Sequence, residues 1–152
     1  MTPIDFSKQI DGFYKAAKKL VSQDLPIVIG KKSVDFFKEN FQQEGYTNSG
    51  MQAWQEVKRR QDPRAKGVRG SRKILTGESG DLGESIMYDP QDSKVVISSD
   101  KPYAAAHNDG TSTAGRSRSV VIPQRQFIGD SPELDEIIRS EIDRKFKDLF
   151  GI

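Results

Sequence analysis

The chain has 152 residues, net charge +2, 34% hydrophobic and 30% charged residues, no cysteine and one histidine, with a mean hydropathy of −0.67. The length suits one domain, expected over residues 1–152, and the lack of cysteine excludes disulfides and thiolate metal sites. The opening Met1-Thr2-Pro3-Ile4-Asp5-Phe6 lacks the basic and apolar regions of a signal peptide, and no apolar run approaches the roughly 18 residues that span a bilayer, so a soluble protein is expected.

The first element is a helix. Thr2 is placed to cap it, Pro3 suits the first helical position and Asp5 favours the positive end of the dipole. Phe6, Ile10, Phe13, Ala17, Leu20 and Val21 recur at three- and four-residue steps and make one apolar stripe, read as a core face. Leu25-Pro26 is expected to end this helix. A second helix is expected over 26–43 from Ile27, Val34, Phe37 and Phe41, stopped at Glu44-Gly45 by a glycine in the left-handed conformation. The pair reads as a helical hairpin or as one long helix broken at the proline. Phe36 and Phe37 cannot both face inward, which leaves part of that cluster for a subunit interface.

Periodicity fades over 46–73. Trp54 and Val57 are the large apolar anchors there, and Lys58, Arg59, Arg60, Arg64, Lys66, Arg69, Arg72 and Lys73 crowd the same stretch. The expectation is an irregular basic arm, separable from the fold, with Trp54, Lys58, Arg59, Arg60, Arg64, Arg69 and Arg72 as candidate assembly contacts. A solvated arm and a nucleic-acid contact are the competing readings; the second lacks interleaved aromatics.

Residues 85–88 and 94–98 flank the turn-forming Asp89-Pro90-Gln91-Asp92-Ser93 and predict a β-hairpin. A short helix is expected from Pro102 to near Gly110, a loop over 111–119, and a third strand over 119–122 ended by Pro123. Ser131-Pro132-Glu133 then starts the clearest helix, with Leu134, Ile137, Ile138, Ile142, Phe146, Leu149 and Phe150 on one face and Gly151 past its end. The predicted class is α+β. It comprises N-terminal helices, a small antiparallel β-meander with an inserted short helix, and a C-terminal amphipathic helix packed on the sheet.

Four pieces, in order, carry a family resemblance. They are Asn40-Phe41 with Glu44-Gly45 and Trp54; Ile74-Leu75-Thr76-Gly77 continuing to Asp81-Leu82-Gly83-Glu84-Ser85-Ile86; Tyr103-Ala104-Ala105-Ala106-His107-Asn108-Asp109-Gly110; and Ile122-Pro123-Gln124-Arg125-Gln126-Phe127-Ile128-Gly129. Together they resemble the tail-completion, or virion morphogenesis, family of Mu-like and related tailed phages. Glu78-Ser79-Gly80 looks like an insertion, and Gln126 replaces an expected proline. The resemblance implies a non-enzymatic assembly protein of the virion, made in the bacterial host cytoplasm. It would complete the tail and help join it to the head. It also implies partners in the tail tube and head-tail connector, a homo-oligomeric ring, and neither membrane nor cofactor. Gly77, Leu82, Tyr103, His107, Gly110, Pro123, Arg125 and Phe127 are its suspected scaffold residues. Arg125 is suited to bind carbonyls or a carboxylate, and Phe127 to plug the core beneath the final helix.

Other chemistry finds little support. His107 excludes a multi-histidine site within one subunit, and a hydrolase would need it to activate a nucleophile such as Ser112, or to pair with Asp109. Asp89, Asp92, Asp100 and Asp109 do not match a calcium loop, and Gly77, Gly80 and Gly83 lack the lysine and hydroxyl of a phosphate loop.

Overall fold

The computed structural model describes residues 3–152, with side chains from Asp5 onward; the proposed cap Thr2 lies outside them. Helix α1 (Pro3–Lys19) passes through a π-helical turn (Leu20–Asp24) into α2 (Leu25–Gln43) without leaving helical dihedrals, so Pro26 neither breaks the rod nor forms a hairpin. The π turn explains this. The Leu25 N–H reaches back five residues to Leu20 O. Pro26 has no N–H to give, and Ser22 O accepts from Ser93 N at 3.3 Å instead.

Helix α2 ends at Glu44, which takes the left-handed conformation (φ 55°) with its N–H on Asn40 O. The expected glycine is therefore one residue late. Gly45 is needed for space: a Cβ there would lie 2.6 Å from Gln52 O. It starts β1 (Gly45–Thr47), which pairs antiparallel with β2 (Met51–Ala53). The segment expected to be irregular thus holds a hairpin and two short helices, α3 (Lys58–Gln61) and α4 (Val68–Ser71).

After α5 (Asp81–Glu84), the predicted hairpin forms as β3 (Ile86–Gln91) and β4 (Lys94–Ser99), with Tyr88 opposite Ile97. Helix α2 crosses β3 at Gly30, where a Cβ would meet the Tyr88 ring at 2.7 Å from its Cγ. Helix α6 (Ala104–Asp109) stops at Gly110 (φ 74°), which also presses against the backbone of Gln124. Residues 111–119 are not all loop. Thr111–Ala114 forms β5, and β6 (Val120–Ile122) pairs with it rather than joining β3 and β4. Among the described residues the meander is replaced by three separate two-stranded sheets. The α+β class stands.

Helix α7 (Pro132–Phe150) has the predicted signals. The Ser131 hydroxyl accepts from Leu134 N, and Gly151 closes the end in the left-handed conformation. It packs on α2 rather than on a sheet. The core gathers Phe37, Phe41, Tyr46, Trp54, Ile74, Leu82, Ile86, Ala104, Phe127 and Leu134, with Phe36 half-buried against it. Phe41 stands at the centre, 5.5 Å from the Trp54 ring and 5.2 Å from Phe127. Among the described residues no helix is long and apolar enough to cross a membrane.

Candidate functional site

Sequence-distant residues meet around one cavity of about 330 Å³, lined by Arg59, Gly77, Leu82, Tyr103, His107 and Arg125 among others. Its walls are fixed by backbone hydrogen bonds. Positive φ at Leu75, Gly77 and Gly80 lets the chain turn tightly along one side, closed by Gly80 N on Thr76 O at 2.6 Å. Opposite, the Arg125 N–H donates to His107 O at 2.8 Å, tying the segment after β6 to α6. Asn108 Oδ1 accepts from both Phe127 N (2.9 Å) and Ile128 N (3.0 Å), and Asn40 Nδ2 donates to Phe127 O. Phe127 is thereby held in the core, at 1% exposure.

The cavity is cationic. Arg125 is only 8% exposed; its Nε and Nη2 donate to Gln55 O at 3.1 and 3.0 Å. Arg59 Nη2 donates to Arg72 O and Lys73 O at 2.7 and 2.8 Å, stapling α3 to the chain beyond α4. Burial, then the nearby Arg59 charge, push the Arg125 pKa down. Burial, then Arg125, do the same to His107. Arg59 Nε and His107 Nδ1 are buried without a hydrogen-bond partner. Tyr103 stands half-exposed at the edge, its ring at right angles to the imidazole with centroids 6.1 Å apart. Neither Ser112 nor Asp109 bonds to His107; the Asp109 carboxylate accepts from Asn108 Nδ2. Among the described residues no cluster of acids and histidine could hold a metal ion.

The basic stretch is divided rather than free. Trp54 is 8% exposed and donates from Nε1 to Gln126 O at 2.8 Å, so it is a core residue here and not a surface contact. Arg60 closes on the Glu44 carboxylate, and Arg72 lies 3.7 Å from Glu78. Lys58, Arg64, Lys66 and Arg69 remain exposed. Because Tyr46, Trp54 and Val57 pack in or on the core, the segment is built into the fold rather than hung from it as a separable arm. Pro123 follows β6, as its lack of an N–H suits.

The family profile of phage virion morphogenesis proteins matches residues 12–147, and so covers every residue of the cavity. The chain belongs to the phage virion morphogenesis family. No curated protein and no solved structure matches it.

This virion morphogenesis protein also carries a surface that periodicity alone misread. The stripe expected in the core is open on α1: Phe6, Ile10 and Phe13 are 56, 50 and 49% exposed. Only Phe13 finds a ring, that of Phe150 on α7 at 5.9 Å. Every described side chain from Asp5 to Lys15 is exposed, so these turns of α1 project beyond the helix pair that α7 makes with α2.

Other functional positions escaped sequence reading. Glu44 accepts from Arg60 and from Ile74 N at 3.1 Å, with its carboxyl held below the usual range chiefly by Arg60. Glu133 accepts from Ser49 N and Gly50 N, pinning the β1–β2 turn to the start of α7. Their partners lie 16 to 84 residues away along the chain, so no local pattern marks them.

Proposed function

We propose that this family member is a non-enzymatic assembly part of the virion, which completes the tail and joins it to the head by protein–protein contact within a homo-oligomeric ring. The observation that carries the reading is the exposed apolar stripe of α1. A helix with Phe6, Ile10 and Phe13 in water gains little from folding alone, since short helices depend on a packed face. Contiguous apolar surface of this kind marks an interaction site.

Light scattering across concentration tests self-association, and complementation of tail assembly tests the role. Wild type is expected to give a discrete multiple of the 17.0 kDa chain mass. Phe6→Asp combined with Ile10→Asp is expected to leave a folded monomer and to abolish tail completion. Normal assembly by the double variant would sink the reading.

A second reading is favoured by the exposed Lys58, Arg64, Lys66 and Arg69. These suit a phosphate backbone, and the reading predicts duplex DNA binding that weakens steeply as salt rises. Absence of binding at low salt removes it.

A further inference from the structure

Three cationic or protonatable groups from separate elements face one cavity, and the acid among its lining residues, Asp81, forms no salt bridge with them. Arg59 comes from α3, His107 from α6 and Arg125 from the segment after β6. Among the described residues no salt bridge involves Arg59 or Arg125. Two polar atoms of its lining residues, Arg59 Nε and His107 Nδ1, are buried and unpartnered. Buried polar groups in native proteins nearly always have a partner, so two orphans on residues of one lining mark a place where the fold leaves polar groups unsatisfied.

We propose that this cavity binds a carboxylate, taking one Asp or Glu side chain from an acidic segment of a neighbouring polypeptide chain. A guanidinium offers a planar fork of N–H donors that matches two carboxylate oxygens, and here two guanidiniums border the same space. Val57, Leu75 and Leu82 supply apolar wall for the methylene stem of a glutamate. The volume of about 330 Å³ lies at the small end of binding pockets and suits one side chain better than a nucleotide. Asp81 lines the rim and is exposed. Its charge opposes a phosphate dianion or a nucleic-acid strand more than it opposes a single carboxylate. An anion also relieves the repulsion between Arg59 and Arg125. That the acidic segment belongs to a virion protein rests on the assembly reading above; the affinity of the cavity for a carboxylate does not.

The sole histidine gives a direct probe, because one imidazole resonance reports on the cavity. The full chain is titrated with capped Gly-Glu-Gly, with its Gly-Gln-Gly isostere and with inorganic phosphate, following the His107 Cε1 proton by NMR. A saturable shift with the glutamate peptide is expected, with a dissociation constant on the order of millimolar. The glutamine peptide should give none, and phosphate should bind more weakly. Bound carboxylate should raise the His107 pKa, against the opposing charges of Arg125 and Arg59, with Asp81 and Tyr103 also lining the cavity. Arg59→Gln should weaken binding at least about tenfold, whereas Arg64→Gln, exposed and outside the cavity, should not. Thermal melting shows whether Arg59→Gln remains folded, and the comparison of peptides on wild type needs no variant.

Equal shifts from both peptides, no shift from the glutamate peptide, or tighter binding of phosphate would overturn the site. Loss of peptide binding with assembly intact sinks the site alone. Carboxylate binding by a chain that never assembles sinks the assembly reading alone.

Discussion

The guanidinium of Arg60 closes on the carboxylate of Glu44, the residue that ends α2 in the left-handed conformation. Both side chains are about one-fifth exposed. The same carboxylate accepts from Ile74 N, so one residue ends the long helix through its backbone and, through its side chain, anchors α3 and holds the stretch of chain that enters the cavity wall. Glu44→Ala is expected to destabilise by about 2 kcal/mol, since it leaves partly buried donors unpaired and keeps the left-handed strain. Glu44→Gly should lose less, because glycine adopts that conformation freely. Urea midpoints of the two variants check the order.

The same pair sets an acid limit. The Glu44 pKa in the fold lies below its unfolded value of 4.5, mainly through Arg60. Its contribution to stability is therefore fully present above 4.5 and is lost as pH falls through the lower folded value. Arg60→Gln should flatten this dependence in acid titrations followed by circular dichroism. Unchanged acid stability would refute the assignment.

His107 acts at higher pH and with the opposite cause. Burial and Arg125 hold its pKa below 6.5 in the fold. Between the folded value and 6.5 the unfolded chain binds more protons, so stability falls as pH drops through that window and recovers as pH rises above it. His107→Gln should remove this slope. Thermal melts from pH 5 to 7.5 compare the two proteins.

Two glycines of the long helix rod should respond oppositely to alanine. At Gly30 an added Cβ meets the Tyr88 ring, and Gly30→Ala is expected to destabilise by about 1–3 kcal/mol despite the better helix propensity. At Gly12 nothing lies within 4 Å. Gly12→Ala should stabilise by up to about 1 kcal/mol. Denaturant unfolding of both variants decides; a shared sign would contradict the packing of α2 on β3.

Phe127 and Phe6 offer a similar contrast. Phe127→Ala empties the centre of the core and should cost about 3–5 kcal/mol. Phe6→Ala, on the open stripe, should change monomer stability by less than about 0.5 kcal/mol. A large loss at Phe6 in a monomer would mean that the stripe is covered within one chain.

What the sequence determined by itself were features whose causes lie within a few residues. Helix α7 was legible because Ser131, Pro132 and Gly151 act on adjacent backbone, and its apolar face repeats with the helical turn. The β3–β4 hairpin was legible because its turn residues sit between two short apolar runs. The family motifs were legible as strings of residues, and their order along the chain pointed to virion morphogenesis.

Tertiary structure decided the rest, because periodicity shows that a face is apolar but not what covers it. Phe6, Ile10 and Phe13 repeat as a core face does, yet all three stay about half-exposed and only Phe13 meets a ring of α7. Thr111–Ala114 has no strand-like composition and becomes a strand because Val120–Ile122 comes back beside it. Pro26 stays helical because a π turn absorbs its missing N–H and Ser93 takes the freed carbonyl. The cavity is the strongest case. Arg59, Gly77, Tyr103, His107 and Arg125 are spread over more than sixty residues and meet only through contacts between α3, α6 and the chain after β6. Non-local contact of that kind, rather than any local pattern, places the charges that make the site.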